Sequence, residues 1–368
     1  MPTLRALCSV PLLLALLGPG TTPLPREPHL TPAASYLPRL VAMGGAPTAA
    51  FLARRASSAP YDTFRSTGPN IRRADRFRAG SITKTFVATV VLQLAGEGRL
   101  RLSDPVDRLL PGLIRGNGND GRRITLHALL DHTSGLPDYT AVTPAHPAPA
   151  GARAAPVSAA DAVRLALTRR PTDVPGGYAY SNTNYAVLGL VIRRVTGHDY
   201  ADEIRRRVIT PLRLTGTSLP GARTALPPPH GRGFTRDPVD GALHEVTALD
   251  PRTAGAAGEL ISTLDDLNRF YAALLGGRLL IPTQLAALLD TTATHGLYGL
   301  GVYPQRLSCG VTVWGHNGHI TGSHVRTVAT RGGGHVLTYR VDTDSLAGTE
   351  ELERGLLDAE FCARAPTG

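Results

Sequence analysis

The chain has 368 residues, 42% apolar, 18% charged and 5% aromatic, which excludes a disordered, collagenous or multi-spanning protein and leaves room for a well-buried core. Its formal net charge is +10, yet the basic residues lie in short separated runs such as Arg72-Arg73, Arg122-Arg123 and Arg205-Arg206-Arg207. No nucleic-acid-binding module accompanies them, so nucleic acid is not expected as a partner and the charge is read as general attraction to anionic surfaces.

At the N-terminus, Arg5 precedes an apolar stretch from Ala6 to Leu17, the layout of a secretory leader and too short to span a bilayer. Residues 1–25 are assigned to this leader; the remainder is expected to be secreted or held at the cell envelope, with no stable membrane span. Gly18-Pro19-Gly20 offers no clean cleavage site. Beyond a proline-rich approach, Ala49 to Ala53 reads as a short buried strand. From Thr83 to Leu94 the sequence is apolar on nearly every face, which predicts a helix crossing the core, closed by Gly96 or Gly98. Ser158-Ala159-Ala160-Asp161 and Ser262-Thr263-Leu264-Asp265 have the spacing of capping boxes, and Tyr185 to Val195 predicts a third helix ended by Gly197. Pro144 to Pro156 and Pro220 to Gly233 read as loops. From Leu297 the pattern changes to successive antiparallel strands at Val311–Trp314, Val325–Val328 and Val336–Tyr339, before a helix from Glu350 to Phe361.

This order predicts an α/β (α+β) fold: an antiparallel sheet built from both chain ends and flanked by helices, with a mostly helical lobe inserted. The domain is placed at residues 33–364, the sheet lobe at about 33–90 plus 297–364 and the helical lobe at about 91–296. With Cys8 in the leader, Cys309 and Cys362 remain. An exported chain joins such a pair as a disulfide; the alternative is two buried thiols.

Among 39 basic residues only Lys84 is a lysine. A sequence that uses arginine wherever a positive charge suffices keeps lysine where arginine fails, and an amine that must lose its proton is such a place. Lys84 follows Ser81 by three residues, so at a helix start the two share a face and form a Ser-x-x-Lys nucleophile. The bland alternative is an N-capping serine followed by a solvated lysine. A helix start favours developing negative charge, and the N–H of Ser81 suits half of an oxyanion hole. Gly116 to Gly121 spells G-x-G-x-x-G but lacks the strand-then-helix setting, and reads as a surface loop. His316, His319 and His324 would suit a metal, but alternation sends His316 and His319 to opposite faces and no carboxylate or cysteine cluster joins them. No metal and no cofactor are expected.

Ser81-Ile82-Thr83-Lys84, Leu129-Leu130-Asp131-His132-Thr133-Ser134-Gly135-Leu136-Pro137 and Pro175-Gly176-Gly177-Tyr178-Ala179-Tyr180-Ser181-Asn182 follow one another in the chain. In these segments, from about Phe77 to Gly322, the sequence resembles the serine penicillin-recognising enzymes, within the branch of D-alanyl-D-alanine carboxypeptidases, class C β-lactamases and related esterases. The resemblance implies a β-lactamase/transpeptidase-like fold and a metal-independent serine hydrolase. It makes Ser81, Lys84 and Tyr180 catalytic, Tyr180 being the phenol that moves the proton to and from the leaving amine. By the same resemblance Asn182 hydrogen-bonds the substrate amide, and His316, Asn317, Gly318 and His319 form the third element of the cleft. His316 lines that cleft, and the N–H of His319 completes the oxyanion hole. The class A pattern requires a further lysine and is excluded, because Lys84 is the only one.

The chain also departs from its branch. Where the related peptidases read His-Thr-Gly-Thr, this sequence reads His316-Asn317-Gly318-His319, and Tyr303 stands six positions before Cys309 where they carry an arginine. Arg306 and Arg326 are the residues left to hold a substrate carboxylate. The expectation is a secreted, monomeric, penicillin-binding D-alanyl-D-alanine carboxypeptidase acting on peptidoglycan-derived peptides, with a weakened preference for free carboxylates and better use of amides or esters. The alternatives are a class C-like β-lactamase or esterase on the same scaffold, and a non-hydrolytic sensor of β-lactams or peptidoglycan.

Overall fold

The computed structural model describes residues 32–363 apart from 44, 57–59, 69–70, 143–156, 173–175, 345 and 347. The leader expected at residues 1–25, the proline-rich stretch Pro144–Pro156 and Pro175 lie outside the described residues. The main sheet has six antiparallel strands: β1 (Ala49–Arg55), β2 (Tyr61–Ser66), β3 (Tyr303–Arg306), β4 (Thr312–Ile320), β5 (Ser323–Thr330) and β6 (His335–Val341). They lie in the order β2-β1-β6-β5-β4-β3, so the sheet is built from both chain ends, as predicted. Five helices frame it: α1 (Tyr36–Ala42), α2 (Ile82–Gly96), α3 (Asn182–Thr196), α4 (Leu264–Leu275) and α5 (Thr349–Phe361).

Strand alternation sorts the side chains of the sheet between two cores. Phe51, Ala53, Leu337, Tyr339 and Val341 point to one face, where Leu37 and Leu40 of α1 and Leu352, Leu356 and Leu357 of α5 cover them. Ala50, Leu52 and Val336 point the other way and join the larger core around α2, α3 and α4. The underside of the sheet and the helical lobe therefore share one continuous core.

Every residue of α2 from Ile82 to Leu92 is buried, which is why its sequence is apolar all round rather than striped. Its polar side chains bond inward: Thr85 Oγ1 lies 2.9 Å from the Tyr271 hydroxyl and donates to the Gly301 carbonyl at 2.7 Å. The helix closes at Gly98, not Gly96. Gly98 is left-handed (φ +69°) and donates to Ala95, while Arg99 donates to Leu94, both at 3.0 Å.

Ser158 caps the helix Ala159–Ala166 as predicted, accepting from Asp161 N–H at 3.2 Å. At the second capping box the cap is one residue later: Thr263 accepts from Asp266 N–H at 3.2 Å, because Ser262 is held in a short strand pair with Phe77 and bonds Thr217. The Gly116–Gly121 segment is a tight hairpin, Arg115–Gly116 against Asn119–Asp120. After the Pro220–Gly233 loop comes a hairpin that the sequence did not announce, Phe234–Arg236 with Leu243–Glu245.

Two features prepare the site. β3 pairs with β4 only from Thr312 to Gly315, so the outer edge of β4 beyond that point is free of β3. A disulfide joins Cys309, in the turn between β3 and β4, to Cys362 at the end of α5, with Cα atoms 5.6 Å apart. No helix among the described residues is long and apolar enough to cross a membrane.

Candidate active site

Ser81 occupies the N-cap of α2 but makes no capping bond, so the capping reading of this serine fails. Its hydroxyl instead takes two partners, Lys84 Nζ at 2.9 Å and the Tyr180 hydroxyl at 2.9 Å. Lys84 is fully buried, one turn along α2, and its Nζ also donates to Asn182 Oδ1 at 2.8 Å and to the Ala257 carbonyl at 2.7 Å. Burial lowers its pKa to about 7, against a smaller opposing pull from the Asp138 carboxylate. The amine is thus poised to exchange a proton near neutral pH.

Tyr180 approaches from the loop before α3. It keeps 37% of its surface exposed at the cleft, but enclosure of its hydroxyl end pushes the phenol well above its ordinary pKa. Lys84, and not a tyrosinate, is therefore the base that the local electrostatics favour. Lys84 Nζ also sits 4.9 Å from the centre of the Tyr180 ring.

Sequence reasoning gave His132 no role, yet it holds Tyr180 at three points. Its carbonyl accepts from Ala179 N–H at 2.9 Å, its Nδ1 accepts from Ser181 N–H at 3.1 Å, and its ring stacks on that of Tyr180 at 4.2 Å. The residues on both sides of Tyr180 are thereby fixed to one residue, Ala179 to its backbone and Ser181 to its ring. To do this His132 adopts the left-handed conformation (φ +63°) while fully buried, a strained arrangement of the kind found at functional sites. Desolvation keeps its ring neutral, and an acceptor at Nδ1 places the proton on Nε2. The only signal in the sequence was its position inside the Leu129–Pro137 segment.

Asn182 has structural partners of its own beside the substrate contact expected of it. Its amide oxygen is taken by Lys84 and its Nδ2 donates to Asp138 Oδ2 at 2.9 Å, so it bridges the lysine to a carboxylate and leaves one N–H for substrate. Asp138, half-buried and also missed, accepts from Thr140 N–H at 2.9 Å as well.

The third element divides. His316 does not line the cleft: it is 1% exposed, bonded through Nε2 to the Tyr298 hydroxyl at 2.7 Å and through Nδ1 to the Asn317 carbonyl. Burial lowers its pKa to about 3, so it is a neutral part of the aromatic wall with Tyr298 and Tyr303. Strand alternation fixes the face of a side chain, not its depth, hence the error. Asn317 is half-buried and pairs across to Arg326 on β5.

Gly318 is where β4 touches the nucleophile turn. A Cβ there would lie 1.9 Å from the Ala79 carbonyl oxygen, so only glycine permits the approach. The same approach brings the His319 nitrogen within 2.8 Å of where a Cβ on Gly80 would stand, setting it against the Gly80–Ser81 peptide. The His319 side chain turns outward and bonds the Asp344 carbonyl at 2.7 Å, while His324 bonds Glu353 at 2.9 Å. The three histidines have separate partners and do not converge.

Neither arginine left for a substrate carboxylate is placed to hold one. Arg306 is exposed and pairs with Thr312, about 20 Å along the strand from Gly318. Arg326 is 6% exposed and bonded to Glu353 of α5 at 2.8 Å and to Gln305.

A serine hydroxyl shared by a buried, near-neutral lysine and a phenol, on a helix start beside a sheet edge, is the arrangement of a serine hydrolase. The sequence matches the Beta-lactamase family over residues 33–349, and the chain belongs to that family. Penicillin-binding protein 4 of Amycolatopsis lactamdurans is 30% identical over 291 residues, 73% of each chain. The D-stereospecific amidohydrolase from Streptomyces sp. is 40% identical with a TM-score of 0.83, over 91% of this chain and 99% of that one. The D-amino acid amidase from Ochrobactrum anthropi SV3, in complex with L-phenylalanine amide, is 25% identical with a TM-score of 0.76, over 89% of this chain and 97% of the other.

Proposed function

We propose that this protein is an exported serine amidohydrolase that cleaves D-aminoacyl amides, and related esters or short D-peptides, through an acyl-Ser81 intermediate. The observation that carries the reading is the charge set of the cleft. Asp138 offers a carboxylate beside Asn182, two hydrogen bonds from Lys84, while Arg326 is bonded to Glu353 and Arg306 stands about 20 Å along the strand from Gly318. That favours a substrate bearing an α-ammonium over one bearing a terminal carboxylate. Likeness to proteins described as a D-stereospecific amidohydrolase and a D-amino acid amidase supports the same class. Export is supported by the leader-like N-terminus and by the Cys309–Cys362 disulfide.

In this reading, the free amine of Lys84 takes the Ser81 hydroxyl proton as Oγ bonds the substrate carbonyl carbon. The oxyanion settles on the N–H groups of Ser81 and His319. Tyr180 donates its phenol proton to the leaving nitrogen, the C–N bond breaks, and Lys84 returns a proton to Tyr180. Water then adds to the acyl carbon by the reverse relay, and Ser81 recovers its proton with release of the acid.

The test is kcat/KM for D-phenylalanine amide, its L-enantiomer, N-acetyl-D-phenylalanine amide and a D-alanyl-D-alanine peptide. The D-amide should be used best, and N-acetylation should reduce kcat/KM about 10- to 100-fold by removing the charge-assisted bond. Asp138→Asn should erase most of that difference. Preference for the D-alanyl-D-alanine peptide would restore the carboxypeptidase reading. A fluorescent penicillin label that clears within seconds would favour a β-lactamase, and one that persists with no substrate turned over would favour a sensor.

A further inference from the structure

Beside the strand that leads into Ser81 lies a small cavity walled by Phe77, Arg78, Gly231, Gly322, Ser323 and Arg340, among others, with room for about one water-sized sphere. Two of its walls are buried cations: Arg78 is 3% exposed and Arg340 2%. Arg78 Nη2 donates to the carbonyls of Thr224 at 2.5 Å and Leu249 at 2.9 Å, but its Nε and Nη1 have no partner. Arg340 packs its guanidinium 4.9 Å from the centre of the Phe77 ring, and its Nε and Nη1 are likewise unpartnered.

Four unpaired N–H-bearing nitrogens on two cations around one cavity need an explanation, since buried donors are ordinarily satisfied and a guanidinium keeps its charge at neutral pH. The carboxylates within electrostatic range are bonded to other groups: Asp75 to Arg72, Asp250 to Arg252 and Asp342 to Thr48. The cavity is also kept open by sequence. A Cβ on Gly231 would lie 2.4 Å from Arg340 Nη2, so any side chain there would displace the guanidinium.

We infer that this cavity is an anion site sized for a single chloride ion, held between Arg78 and Arg340. A monatomic anion accepts from several guanidinium N–H groups at once, while a carboxylate or phosphate exceeds the space. The ion would brace the catalytic geometry from outside the cleft. Arg78 is three residues before Ser81, its carbonyl accepts from Ser323 Oγ at 2.8 Å, and Gly322-Ser323 follows the His319 end of β4. It thus ties the two segments that supply the oxyanion-hole nitrogens.

Thermal unfolding of the intact protein at constant ionic strength tests this, exchanging sodium gluconate for sodium chloride or bromide. A saturable halide-dependent rise in Tm of roughly 2–5 °C is expected, and it should vanish in Arg340→Met. Crystals of the unsubstituted protein grown in sodium bromide supply a second reading that does not depend on the variant folding: an anomalous peak within about 3.5 Å of nitrogens of both arginines is expected. Equal Tm in gluconate and halide overturns the proposal, and so does a cavity without bromide, which would mean that water alone solvates the two cations. A bromide peak with no saturable stabilisation also overturns it, since the cavity then holds an adventitious ion only.

Discussion

Lys84 illustrates how burial sets a chemical role. Its ammonium has three acceptors for three N–H groups, yet desolvation brings its pKa down to about 7. Only the free amine can take the Ser81 proton, so the acylation rate should rise with pH through a midpoint near 7; stopped-flow acylation across pH 5–9 checks the sign, and a rate falling through that range would exclude Lys84 as base. Lys84→Arg keeps the charge and removes the titration, and should lower kcat/KM about 10³-fold. The placement of this lysine against Ser81 was legible because it stands alone among arginines, three residues on. That of His132 was not, since a histidine gripping a tyrosine from a left-handed turn leaves no periodic trace. His132→Phe keeps the ring stack but strands the Ser181 N–H, and should lower kcat about 10-fold with little change in KM. In a Tyr180→Phe background the same substitution should have almost no further effect on kcat, the non-additivity expected of a positioning residue. An undiminished effect there would make His132 merely structural.

At the scale of elements, the site depends on a strand reaching a helix start. Gly318→Ala should push β4 from the Ala79 carbonyl and separate the Ser81 and His319 nitrogens. Loss of one oxyanion donor costs about 10²- to 10³-fold in kcat, and circular dichroism with active-site titration would distinguish this from loss of fold. The elements themselves were largely readable. The all-apolar run gave α2, alternation gave β4 to β6, and the Ser158 box gave its cap. The failures came where tertiary partners decide between equivalent residues: Ser262 and Thr263 can both cap, and the bond to Thr217 settles it. The hairpin Phe234–Arg236 with Leu243–Glu245 escaped because its strands are three residues each, too short to show a period.

At the scale of the whole molecule, the Cys309–Cys362 disulfide closes a sequence separation of 53 residues that includes β4, β5 and β6. In the chain-entropy picture such a loop is worth about 4 kcal/mol. Paired Cys309→Ala and Cys362→Ala substitutions, or reduction of the intact protein, should lower stability by up to that amount; denaturant unfolding measures it, and thiol titration of the denatured, unreduced protein should find no free thiol in the exported form. The sheet itself has a consequence for the time at which structure appears. β1 lies between β2 and β6, with Ala49 opposite Val341, so a chain emerging N-terminus first carries an interior strand lacking one neighbour until almost all of it has been synthesised. Contacts of such long range slow folding. A nascent or truncated chain ending before His335 should therefore remain protease-sensitive throughout, a delay that, for the exported protein proposed above, would keep the polypeptide threadable until the surroundings of Ser81 are assembled.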